Sequence, residues 1–176
     1  MTAPITIREL TSDDLPTALS VGGPADPAES RQMFARHPDL FLGCFEAGRM
    51  VGVCYGWPVT HERAGAPMMR LELIAVVPDA RGRGLGRALL AAWERRVARR
   101  GAWTIDVGSA ADGFFLRCGY VPVEYCLKGR EASGGADDLL ARYVPITGGY
   151  SPRTKAKLQR ELHARQAITI FRKRTS

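Results

Sequence analysis

The sequence predicts a mixed α/β (α+β) fold, a largely antiparallel twisted sheet flanked by helices. Three observations carry that expectation. Strand-like and helical stretches alternate along the whole chain. Leu40–Phe45 and Met50–Trp57 are joined by Glu46-Ala47-Gly48-Arg49, which reads as an antiparallel hairpin. At 176 residues, 45% apolar and 24% charged, the chain has the make-up of a single globular domain with a real core.

The elements follow in order. Ile5–Leu10 alternates apolar and polar and reads as a first strand. Thr11-Ser12-Asp13-Asp14 offers caps for a helix to about Val21, broken by Gly22-Gly23-Pro24. Asp26 caps a second helix, Pro27–His37, with Pro27 at its first position. After the hairpin, residues 61–67 form a loop rich in Gly, Ala and Pro. Met69–Val77 is a long strand stopped by Pro78. Leu89, Leu90, Trp93 and Val97 mark the buried stripe of a helix from Leu85 to Arg100, stopped by Gly101. Then come a strand (Trp103–Val107), a short helix (Ala110–Cys118), a strand (Tyr120–Leu127), a loop (129–138) and a strand (Leu139–Ile146). Ser151-Pro152 opens a basic helix to about Arg165, and Ala167–Phe171 reads as a last strand.

Charge divides the chain. The net +7 lies wholly in residues 151–176, which hold eight bases and one acid. We therefore expect a main domain, residues 1–147, and a basic extension, residues 148–176. No apolar run reaches the ~18 residues of a spanning helix, so no membrane role is expected. The N-terminus lacks a basic segment followed by an apolar block, as a secretory signal would need. Cys44, Cys54, Cys118 and Cys126 form no C-x-x-C pair, which points away from a metal site and toward buried thiols in a reducing, cytoplasmic setting.

The most informative segment is Arg81-Gly82-Arg83-Gly84-Leu85-Gly86, between a strand and a helix. Glycines let backbone N–H groups approach a ligand, a helix start adds unpaired N–H groups and a positive dipole end, and two arginines add charge. These are the parts of a pyrophosphate site. A Walker loop is excluded, because no Gly-Lys-Ser/Thr occurs here. A dinucleotide G-x-G-x-x-G fails because its last position would be Arg87 or Leu89. The pattern R-x-x-G-x-G fits, filled by Arg81, Gly84 and Gly86. About thirty residues on, Phe114-Phe115-Leu116-Arg117-Cys118-Gly119-Tyr120 supplies a second signature: an aromatic pair, three residues, then Gly and an aromatic.

Ile74–Leu90 together with Phe114–Tyr120 resembles the GNAT superfamily of acetyl-CoA-dependent N-acetyltransferases, and the order of elements resembles that family over roughly residues 4–128. The resemblance implies acetyl-CoA as cosubstrate, with no metal, and acetyl transfer to an amine. It implies pantetheine contacts to the backbone of Ile74 and Val76, pyrophosphate contacts from Arg81, Gly82, Arg83, Gly84, Leu85 and Gly86, an oxyanion contact near Val76 N–H, and a small polar contact from Ser109.

A primary amine near pKa ~10 is mostly ammonium at neutral pH and must lose a proton before attack. Glu72 is the candidate base, as the one acid within Met69–Val77. Strict alternation would put it on the face of Arg70, Ile74 and Val76; an ion pair is the competing reading. Phe115 stands where the family often has an acidic tyrosine, so the proton donor to the leaving thiolate is unassigned, with Tyr120, Tyr125 or water as alternatives. The acceptor is a small-molecule or protein amine. The second reading is a non-catalytic acetyl-CoA sensor or scaffold whose basic tail binds nucleic acid or an acidic partner. For the tail itself, docking of Leu158 and Leu162 on the domain or on a sister subunit is favoured over nucleic-acid binding and over a strand that builds a homodimer.

Overall fold

A computed structural model gives the architecture and describes residues 4–23, 26–61, 66–101, 103–130 and 139–175. The chain forms two compact units. The first is Met1–Ile105 with Arg174–Ser176, and the second is Asp106–Lys173. The class is the expected one, mixed α+β with a largely antiparallel sheet and flanking helices.

In the first unit the elements are β1 (Ile5–Glu9), α1 (Leu15–Gly22), α2 (Pro27–Arg36), β2 (Phe41–Glu46), β3 (Arg49–His61), β4 (Ala66–Val76) and α3 (Leu85–Arg99), followed by the start of β5 (Thr104–Ser109). Strands β1 to β4 are successive antiparallel neighbours. The hairpin turn is tighter than its four expected residues. Glu46 pairs with Arg49, leaving Ala47 (φ 48°) and Gly48 (φ 80°), both left-handed as the right-handed twist of the strands favours. β3 and β4 run longer than their sequence patterns, because Pro58–His61 pair with Ala66–Met69. Asp26 caps α2 as expected, its Oδ1 accepting from Ala28 N (2.8 Å) and Glu29 N (2.9 Å).

The two faces of this sheet are covered by different helices. Phe41, Val53, Tyr55 and Trp57 form a buried cluster with Leu15 and Val21 of α1 and Met33 and Phe34 of α2. Tyr55 stacks on Phe41 with ring centroids 4.6 Å apart. The alternate positions Gly52 and Gly56 face α3, where a Cβ would meet Leu89 and Trp93. Leu89, Leu90, Trp93 and Val97 are buried, as their spacing predicted. Trp93 Nε1 donates to Leu40 O at 3.0 Å.

The second unit holds most of β5, α4 (Asp112–Arg117), β6 (Val121–Arg130), β7 (Leu139–Pro145), α5 (Pro152–Glu161) and β8 (Gln166–Arg174). Its strand order is β5-β8-β6-β7. β8 pairs antiparallel with β6 of its own chain, from Val121↔Arg172 to Lys128↔Gln166. Phe115 packs against Phe114, Tyr120 and Phe171 at 5.1, 5.3 and 5.6 Å between centroids. Ser151 caps α5 through its Oγ, which accepts from Thr154 N at 3.2 Å. Leu158 and Leu162 are partly covered, while Arg153, Lys157, Arg160 and Arg165 are exposed.

Candidate active site

The geometry begins with an irregularity in β4. Tyr55 pairs with Leu73 and Gly56 with Leu71, so Glu72 is an extra residue, a β-bulge. The bulge reverses the alternation. Leu73 shares the α1 and α2 face with Tyr55, and Arg70 shares it with Trp57, whereas Ile74 and Val76 lie opposite Cys54 and Gly52 on the α3 face. This corrects the expectation that Arg70, Ile74 and Val76 share one face, since a period of two does not survive an inserted residue. Glu72 is half-buried.

Beyond the bulge, regular pairing returns. Val77 N donates to Val51 O at 3.0 Å. In an antiparallel ladder the neighbouring positions alternate. The N–H and C=O groups of Val76 and Ile74 therefore point to the edge of β4 away from β3. The Val76 carbonyl accepts there from Arg81 Nε at 2.9 Å.

Pro78 ends the strand and opens a short turn, Pro78–Ala80, leading into the glycine loop. Gly82 (φ 76°) and Gly84 (φ 79°) adopt the left-handed conformation. A Cβ at either would meet no described atom within 4 Å, so the loop's surface is open. Gly84 is also the N-cap of α3, and having no side chain it cannot cap it. The first i→i−4 bond is Ala88 N to Gly84 O, at 3.0 Å. The N–H groups of Leu85, Gly86 and Arg87 precede it and have no intrahelical acceptor. Free amides at a positive helix end are groups that favour an anion, so the residues present fit a pyrophosphate. The Arg83 guanidinium, by contrast, turns to Glu46 in a two-pronged pair of 2.6 and 3.0 Å. That bond holds the Glu46 carboxyl below its ordinary pKa.

In the second unit, Ser109 Oγ accepts from Ala111 N at 2.9 Å, so the hydroxyl shapes the turn into α4. Phe115 is buried and has no hydroxyl to donate. Asp112 Oδ2 accepts from Tyr150 OH (2.6 Å) and Lys155 Nζ (2.8 Å), tying α4 to α5. Burial and this bond to Asp112 push the Tyr150 pKa far up. Sequence reasoning missed that cluster, the Arg81–Val76 bond and the place of Tyr55, none of which leaves a local pattern.

Residues 6–120 match the Acetyltransferase (GNAT) family, and the chain belongs to it. An acetyltransferase of Sodalis glossinidius is 33% identical over 88 residues, which are 50% of this chain and 58% of that protein. N-acetylglutamate synthase from Neisseria gonorrhoeae, solved with coenzyme A and N-acetyl-glutamate, is similar in structure with a TM-score of 0.57 and 20% identity, over 100% of this chain and 36% of that one. Naa20 from Chaetomium thermophilum, solved with a bisubstrate analogue, gives 0.65 and 19%, over 96% and 85%. The chain thus spans little more than half of the curated relative and about a third of the synthase. At these identities the two solved structures establish the fold alone. Among the described residues, no helix is long and apolar enough to cross a membrane.

Proposed function

We propose that this chain is an acetyl-CoA-dependent N-acetyltransferase acting on a primary amine of a small molecule or protein. The observation that carries it is the open loop Arg81–Gly86, with Gly82 and Gly84 left-handed ahead of the uncapped start of α3. Diphosphate would sit on those amides, and pantetheine along the backbone edge of Ile74 and Val76. Ser109 is a further contact in this reading.

Glu72 takes a proton from the acceptor ammonium. The freed nitrogen lone pair attacks the thioester carbonyl carbon, and the Val76 N–H stabilises the oxyanion. Collapse breaks the C–S bond, and the second proton of the nitrogen passes through water to the departing thiolate, leaving a neutral amide and a thiol, Phe115 having no proton to give. The thioester is the acetyl donor; the chain's residues bind it, orient it and move the amine proton.

The test is thiol release from acetyl-CoA across a panel of amines, wild type beside Glu72→Gln. A loss in kcat on the order of 100-fold or more, with acetyl-CoA binding intact, is expected for a general base. An unchanged rate with a good acceptor removes Glu72 from that role. Tight acetyl-CoA binding without turnover on any amine would favour the sensor reading, which the missing hydroxyl at Phe115 keeps in view.

A further inference from the structure

We propose that Tyr55 is a positioning residue for Glu72, its buried hydroxyl donating to the Glu72 carboxylate through one water, which holds that group ionised and oriented. This rests on Glu72 as the base and adds the residue that sets its behaviour.

Geometry makes the case. Tyr55 pairs across the sheet with Leu73, and the register then skips Glu72, so the bulge lies beside the tyrosine. Leu73 is the residue directly opposed to Tyr55, and Glu72 is its neighbour in the bulge, one position along β4. The ring is packed in a stack, against Phe41 at 4.6 Å and Trp57 at 6.1 Å, while Phe34 meets Phe41 edge-on at 5.3 Å. Tyr55 is 0% exposed, and its hydroxyl has no hydrogen-bond partner among the described residues. Ser30 of α2 lies near it without reaching hydrogen-bond geometry, its Oγ donating to Asp26 O at 3.0 Å. A buried donor left unused costs about 1–3 kcal/mol, so one beside the bulge that carries the proposed base calls for a role.

The charges agree. Burial raises the Tyr55 pKa most, the neighbouring Ser30 hydroxyl lowers it and the Glu72 charge raises it; the net direction is up, so the phenol keeps its proton and stays a donor. Among the described residues of the elements packed on this face, α1 carries no titratable group, Glu29, Arg31 and Arg36 of α2 and Arg70 of β4 are exposed, and Cys54 and Glu94 belong to the α3 side of the sheet. The arginines of α3 lie on that side too, and Arg49 of β3 is paired with Asp79.

A donor to an ionised carboxylate lowers its pKa, so removing the donor raises it. The experiment follows the Glu72 carboxyl carbon by 13C NMR over pH in wild type and Tyr55→Phe, assigning the signal with Glu72→Gln. An upward shift of about half a pH unit or more is expected. The acid limb of kcat/KM should move by the same amount, with KM for acetyl-CoA unchanged. Ser30→Ala, which keeps the phenol, should leave the titration in place. By reciprocity, Glu72→Gln should lower the Tyr55 ionisation midpoint, a measurement that does not need Tyr55→Phe to fold. An unmoved Glu72 titration, or an unmoved Tyr55 midpoint in Glu72→Gln, overturns the inference while leaving Glu72 free to be the base. Full turnover in Glu72→Gln overturns both.

Discussion

Arg81 Nε donates to the Val76 carbonyl across 2.9 Å, so the glycine loop is fastened to the last residue of β4 by its own first arginine. Charge and position are therefore separable in the loop. Arg81→Ala should weaken acetyl-CoA binding about tenfold or more, since charge-assisted bonds are the stronger kind. Arg81→Lys keeps the charge but lacks the planar fork, and should recover part of the loss. Calorimetric titration with acetyl-CoA reads both. Equal affinity in all three proteins would detach Arg81 from the site.

The glycines divide by what surrounds them. At Gly84 a Cβ has open space but a φ of 79°, so Gly84→Ala should cost about 1–2 kcal/mol in backbone strain. At Gly56 a Cβ would stand 2.0 Å from Arg70 O and 2.7 Å from Trp93 Cζ2, with the bulge alongside. Gly56→Ala should lower the melting temperature far more than Gly84→Ala. Acetyl-CoA affinity should show the opposite order in any protein that stays folded. Similar melting points would mean the strands at Gly56 part easily.

Arg8 donates two bonds to Asp14, at 2.7 and 3.1 Å, and with Thr11 holds that carboxyl well below its ordinary 3.8. A depressed folded-state pKa stabilises above the unfolded value and stops doing so as pH falls through the folded one. The stability gap between wild type and Asp14→Asn should therefore be full at pH 7, begin to close below about pH 4, and keep closing as the solution is acidified further. Urea melts at several pH values measure it. A gap independent of pH would dismiss the ion pair as its source.

Asp112 is the shared acceptor for Tyr150 and Lys155, whose side chain is 13% exposed. Removing it leaves a covered ammonium without its counter-charge, so Asp112→Ala should cost about 3–5 kcal/mol. The double variant Asp112→Ala, Lys155→Met should regain much of that. Denaturant unfolding of wild type, Asp112→Ala, Lys155→Met and the double variant forms a cycle, and simple additivity would refute the coupling.

What was legible in the sequence was local. Asp26 with Pro27 marks a helix start, and the stripe of Leu89, Leu90, Trp93 and Val97 marks a buried face, because each depends on neighbours within a turn or two. The glycine loop is legible for the same reason. The faces around Glu72 were not. Nothing in Met69–Val77 signals that β3 will pair with Leu73 and then Leu71, and that skip decides which side chains stand together. Strand ends at His61 and Ala66 were hidden likewise, since pairing between strands extends both past their own patterns. Tyr55 looks like any strand aromatic until its register is known.

The order β5-β8-β6-β7 bears on how this chain is made. β6 and β7 emerge from the ribosome as a hairpin, yet one flank of β6 must wait for Gln166–Arg174 to be translated. Until then the nascent chain displays a bare row of amides and carbonyls, the kind of surface that recruits foreign strands. A stop codon placed before Gln166 should consequently send the product to inclusion bodies or to a chaperone, with the glycine loop Arg81–Gly86 left intact in sequence.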